Sequence, residues 1–159
     1  MTIFEQQLFE QLAEDFISQA KVAIKTKPIP RKTKAQGEFS SVVNASGKLA
    51  DSLRSEITED EVRVYALAYI DNLIYGQAPS RVETSIFEIE NWMIDKGLEF
   101  NAVSVLNNLQ QYGNSIFQKF QGANSGLLED IDLTSHIEKI KEQLILKKIT
   151  EITNANNSN

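Results

Sequence analysis

Arg54-Ser55-Glu56-Ile57-Thr58-Glu59-Asp60-Glu61-Val62-Arg63-Val64-Tyr65-Ala66-Leu67-Ala68 is the stretch that separates this chain from an all-helical bundle. Val62, Val64, Ala66 and Ala68 alternate with Arg63, Tyr65 and Leu67, the period of two that sends successive side chains to opposite faces of a strand. The reading is two strands, 54–58 and 61–68, joined by an acidic turn at Glu59-Asp60 into an antiparallel hairpin.

Just before the hairpin, Ser46-Gly47-Lys48-Leu49-Ala50-Asp51-Ser52-Leu53 predicts a short helix that opens tightly at Gly47, with Leu49 and Leu53 on one face. At the N-terminus, Thr2 and Glu5 have the spacing of a capping box, in which each side chain satisfies the other's free backbone N–H. Phe4, Leu8, Leu12, Phe16 and Ala20 then recur at helical spacing, with Phe9, Ile17 and Ile24 widening the stripe, so residues 3–26 read as one long amphipathic helix. Pro28 and Pro30 end it, because each lacks an N–H and restricts its predecessor, and residues 27–38 read as a basic loop.

On the C-terminal side, 69–75 fits either extended chain or a turn of helix, and Gly76 and Pro79 break it. Ser80 and Glu83 are spaced as a second capping box, leading into a helix with Val82, Ile86, Ile89 and Met93, with Trp92 beside them and a stop at Gly97. Asn101 caps the next helix, which carries Ala102, Val105, Leu106, Leu109 and Tyr112 and ends at Gly113. Residues 113–126 are less regular but must bury Ile116, Phe117 and Phe120. Ser135 and Glu138 make a third box, opening a helix with Ile137, Ile140, Leu144, Ile145, Ile149 and Ile152, and 153–159 read as a disordered tail. The expected fold is a single α+β domain over 1–152: a long N-terminal helix, a small central antiparallel sheet and three further helices.

Composition narrows the chemistry. The chain has 159 residues, no cysteine, and 16 basic against 22 acidic side chains. Without cysteine there are no disulfides, thiolate metal sites or thiol nucleophiles. No apolar run approaches a membrane span, and the N-terminus lacks the basic region of a signal peptide, so a soluble protein made and used inside a cell is expected. Charge is unevenly placed. Lys21, Lys25, Lys27, Arg31, Lys32 and Lys34 fall in a segment with no acidic residue, leaving ten basic against 22 acidic side chains, a net −12, on the rest.

An active site is hard to assemble from these residues. His136 is the only histidine, reads as a surface residue, and would have to serve every metal or triad arrangement alone. The pairs Glu88/Glu90 and Glu129/Asp130 point apart and read as solvated faces. Neither a Walker loop nor a G-x-G-x-x-G after a strand is present. The chain is not expected to be an enzyme, and no metal or cofactor is implied. Lys25, Lys27, Arg31, Lys32 and Lys34 could contact phosphates, a neighbouring subunit or only solvent; no aromatic interleaves them, and the acidic body would repel a duplex. Tyr65, Tyr69, Tyr75, Trp92 and Tyr112 read as core by default and as an interface in the sharper reading, with Tyr75 exposed.

The order of these features carries a resemblance. A long helix, a basic Pro-containing loop, the set Ser46, Gly47, Leu49, Ser52 and Leu53, a hairpin, then Tyr69-Ile70-Asp71-Asn72 leading to Tyr75-Gly76 resembles the neck and tail-completion proteins of tailed bacteriophages. Ile86 to Leu98, with Trp92 and Lys96-Gly97, resembles the helix that follows in many of them, and Val103 to Gly113 the next. The resemblance spans about residues 40–130. It implies a non-catalytic structural protein of the virion, made in the host bacterial cytoplasm and forming a six- or twelve-fold homo-oligomeric ring. Its partners would be other neck, portal or tail proteins, with genomic DNA in the channel and no membrane. An acidic conduit would let DNA slide, since phosphates meet few cations there. The alternatives are a small helical adaptor or assembly chaperone binding through 3–26 or 135–152, and a nucleic-acid-associated protein using Lys21 to Lys34.

Overall fold

The computed structural model describes residues 2–42, 47–58 and 61–157. The fold is mixed α and β. Helix α1 spans Ile3–Thr26; strands β1 (Pro28–Thr33) and β2 (Gly37–Val42) follow, then α2 (Lys48–Asp51), β3 (Arg54–Ile57), β4 (Val62–Tyr65), α3 (Ile70–Ile74), a 3-10 turn at Pro79–Arg81, α4 (Ile86–Lys96), α5 (Ala102–Tyr112), α6 (Ser115–Phe120) and α7 (Thr134–Asn157). Each strand pair forms its own two-stranded antiparallel sheet.

The chain divides into two compact units, each assembled from separated segments. The smaller contains 1–19, 54–65 and 131–159, and the larger contains 20–53 and 66–130. At 24 residues, α1 is about 36 Å long, enough to contribute to two cores.

In the smaller unit the Thr2–Glu5 capping box is formed: Thr2 N–H donates to Glu5 Oε2 at 2.7 Å and Glu5 N–H to Thr2 Oγ1 at 3.3 Å. Helix α7 lies antiparallel to this part of α1, because its contacts fall as those of α1 rise. Lys147 Nζ reaches Glu5 Oε1 at 3.3 Å, His136 Nε2 reaches Asp15 Oδ2 at 2.7 Å, and Gln19 exchanges hydrogen bonds with the Asp132 backbone. The hairpin pairs Arg54 with Tyr65 and Ile57 with Val62. It matches the sequence reading with shorter strands; the Glu59-Asp60 turn lies outside the described residues. Tyr65 ties its two strands by donating from its hydroxyl to Glu56 at 2.8 Å.

The start of α7 departs from the expected box at Ser135. Asp132 Oδ1 accepts the Thr134 N–H at 2.8 Å and opens the helix one residue earlier, while Glu138 turns to Lys141. Its end departs too. The expected disordered tail continues the helix through Asn157, since no Gly or Pro interrupts 134–157 and Thr153 Oγ1 donates to the Ile149 carbonyl at 2.9 Å.

The larger unit holds most of the core: Ala20, Ile24, Ile29, Leu49, Ala50, Leu53, Ile89, Met93, Ile116 and Leu127. Residues 27–38 are not a loop here. They form most of a hairpin in which Pro28 faces Val42 and Thr33 faces Gly37. Both strands of a two-stranded ribbon are edges, so the missing proline N–H groups can be placed without breaking a ladder. Buried Ile29 fixes the ribbon, and β1 packs on α6.

The segment left open at 69–75 winds into α3. Helix α4 begins six residues after the expected Ser80 cap. Pro79–Arg81 takes a 3-10 turn, and the formed capping box is Ser85 with Glu88. Gly97, at φ 62°, ends α4 as read. Asn101 caps α5 by accepting the Ser104 N–H at 3.0 Å, and Asn114 caps α6 by accepting that of Phe117 at 2.8 Å.

Candidate functional site

The residues that carried the resemblance cluster in the larger unit. Gly47 stands at φ 75°, the left-handed conformation that favours glycine, at the start of α2. Leu49 and Leu53 are buried. Ser52 Oγ donates to the Leu49 carbonyl at 2.7 Å and accepts the Leu67 N–H at 3.1 Å, holding α2 to the chain that leads into α3. Ser46 lies outside the described residues. Gly76, at φ 77°, exists for close approach: a Cβ there would lie 2.3 Å from the Phe117 backbone nitrogen.

A groove of about 930 Å³ brings several of these positions together, lined among others by Arg31, Gly47, Lys48, Leu49, Tyr69, Trp92 and Lys96. Ser52, Leu53, Tyr75, Gly76 and Gly97 do not line it. Trp92 is 46% exposed and is not the core residue expected by default. The buried pair on α4 is Ile89 and Met93, four apart, and position 92 falls on the shoulder of that stripe. Tyr75 is exposed, as read.

The basic residues are engaged individually instead of fanning into solvent. Lys25 sits 3.9 Å from Asp51. Lys27 donates to the Gly126 carbonyl at 2.6 Å and pairs with Asp130. The Lys34 ammonium lies 5.2 Å from the centre of the Tyr112 ring, and Lys32 lends its charge to Glu38, which Lys119 holds at 2.8 Å. Arg31 Nη1 is 3.4 Å from Ser115 Oγ, and its enclosed Nε donates to no protein atom. Burial pushes the pKa of that guanidinium below its ordinary value. A phosphate backbone would have to compete with these contacts.

The acidic pairs do not converge. Glu88 is committed to the α4 cap, and its pKa is lowered first by the Ser85 N–H and then by the Ser85 hydroxyl, while Asp130 faces Lys27. His136 is not a plain surface residue. Its side chain is half-buried, Nε2 faces Asp15, and the enclosed Nδ1 has no partner, an arrangement that suits a proton on Nε2. Among the described residues, no three His, Asp or Glu side chains are placed to hold a metal ion, and no helix is long and apolar enough to cross a membrane.

Sequence reading missed a different kind of feature: large apolar side chains left in solvent. In the larger unit Phe87, Ile94, Phe100 and Val103 are exposed on and beside α4 and α5. In the smaller, Ile145, Leu146, Ile149 and Ile152 are exposed along α7. The signal was present. Phe87 and Ile94 fall off the stripe of α4 that packs inward, and α7 carries two apolar stripes where one helix face needs one. No family model matches the chain, and no curated protein or solved structure matches it significantly.

Proposed function

We propose that this chain is a structural protein of a tailed-bacteriophage virion, forming a ring around the DNA channel in the neck or tail-completion region and acting by contact instead of catalysis. The observation that carries the reading is the apolar exposure of both units, with Phe87 70% and Ile94 76% exposed on α4 and Ile145 59% and Ile149 55% exposed on α7. Large contiguous apolar patches mark interaction sites. A ring subunit needs two different patches, one for each neighbour. The order of sequence features that resembles phage neck proteins selects this assembly over other contact-driven roles, and the acidic excess suits a conduit through which DNA slides.

A helical adaptor or assembly chaperone is favoured by one observation, the length and exposed stripe of α7, which would serve a single partner helix. Negative-stain electron microscopy of the purified chain separates the two. The ring reading expects closed rings with a central opening, and a field of monomers or dimers would count against it.

A further inference from the structure

We propose that the groove of the larger unit is a binding site for a small organic monoanion, a carboxylate carried on a flat apolar body. The described residues that line it all belong to that unit, so the site does not depend on the ring reading. Arg31 is the starting point. On β1, positions 29 and 31 share a face, and the chain sends a guanidinium inward beside Ile29, which is 1% exposed. A charge drawn out of water needs a counter-charge or hydrogen bonds in return. Arg31 has little of either. Among the described residues no carboxylate lies within ion-pair distance of it, its enclosed Nε has no partner, and its side-chain hydrogen bond is the long one, 3.4 Å, from Nη1 to the Ser115 hydroxyl. Burial lowers its pKa, and no acidic neighbour offsets that.

The rest of the groove describes the ligand. Its volume, about 930 Å³, lies in the range of sites that enclose a small molecule. Trp92 and Tyr69 line it and are 46% and 42% exposed, so two flat rings border the same space as the guanidinium. Rings of this kind give an apolar body a large contact area, while the guanidinium can hold a planar carboxylate through two parallel N–H bonds. Charge sets the valence. Among the described residues that line the groove, Arg31, Lys48 and Lys96 stand against Glu88 and Asp95, a net +1. One carboxylate balances that charge, and a dianionic phosphate would overshoot it.

Trp92 is the only tryptophan in the sequence, so its fluorescence reads the groove directly in the full-length chain. Titration with phenylacetate should shift the Trp92 emission saturably. Acetate, which lacks the apolar body, and 2-phenylacetamide, which keeps the shape without the charge, should each bind about tenfold more weakly or worse. Arg31→Gln should weaken phenylacetate by a similar factor of about ten, while its melting temperature stays at or above the wild-type value, because the change removes an uncompensated charge. The comparison of acid with amide uses wild type alone and decides the matter even if Arg31→Gln fails to fold. A phenylacetate response that never saturates would overturn the site. Equal binding of acid and amide, or a folded Arg31→Gln that binds phenylacetate as wild type does, would overturn the anion and the role of Arg31. Phenyl phosphate binding more tightly than phenylacetate would overturn the assignment to a monocarboxylate.

Discussion

The two units of this chain are stabilised in different ways. Of the twelve buried apolar residues among those described, ten lie in the larger unit, and only Leu8 and Ala13 in the smaller. The larger unit satisfies its irregular backbone from within: buried Ser125 donates its N–H to the Ile74 carbonyl and its hydroxyl to the Leu73 carbonyl, both at 2.6 Å. Between α1 and α7 the smaller unit relies on half-buried apolar side chains and on Glu5–Lys147, Asp15–His136 and Gln19–Asp132. Ion pairs with this much solvent around them contribute little. The smaller unit therefore buries the lesser apolar core of the two.

The largest effect that would sharpen this contrast is at Gly76. Its φ of 77° and the Phe117 backbone beside it leave no room for a side chain, so Gly76→Val should cost about 4 kcal/mol or more and prevent the larger unit from folding. Gly97, at φ 62° with open space around it, should tolerate Ala for about 1 kcal/mol. Similar losses in denaturant melts of the two variants would remove the close-approach argument.

Next in size is a matched pair of truncations. Ile24→Ala, at a fully buried position, should lose about 2–5 kcal/mol, whereas Ile149→Ala in the dilute chain should change stability by less than about 0.5 kcal/mol. A substantial loss at Ile149 in a dilute melt would mean that this stripe is covered within the chain.

Acid should loosen the smaller unit first. The pKa of Glu5 is lowered, chiefly by the Thr2 N–H and then by Lys147, and that of Asp132 chiefly by the Thr134 N–H. A carboxylate with a depressed folded pKa adds stability at neutral pH that is lost as the pH drops below its ordinary value, 4.5 for Glu5, towards its folded value. Glu38, lowered by Lys119, gives the larger unit the same sign of dependence, but there it acts beside a substantial core. Amide exchange in this acid range should therefore rise in α7 before α6, and Glu5→Gln should flatten part of the α7 response. Uniform exchange in both helices would contradict the difference drawn between the units.

How far these features could be read from sequence follows the range of the interactions that create them. Helix α1, the caps at Thr2, Asn101 and Gly97, and the 54–65 hairpin depend on neighbours within a few residues, and they stand where the pattern places them. The ribbon at 28–42 was hidden because its prolines also end α1, and what holds it, the burial of Ile29 and the packing of β1 on the distant α6, is not local in sequence. Ser80 and Ser85 offer the same cap chemistry, and the 3-10 turn at Pro79 decides between them. The groove was illegible for the same reason: Arg31, Lys48, Tyr69 and Trp92 come from four separate elements or their flanks. The exposed stripes were legible in part, since periodicity shows that α7 has more apolar surface than one neighbour covers but not where the surplus goes.

Native mass measurement of the full-length chain across a concentration series tests most directly whether this protein acts as a ring subunit. The account predicts monomer at low concentration giving way to one closed species, six- or twelve-fold, without an unending ladder of sizes. A chain that stays monomeric or stops at a dimer throughout would contradict it.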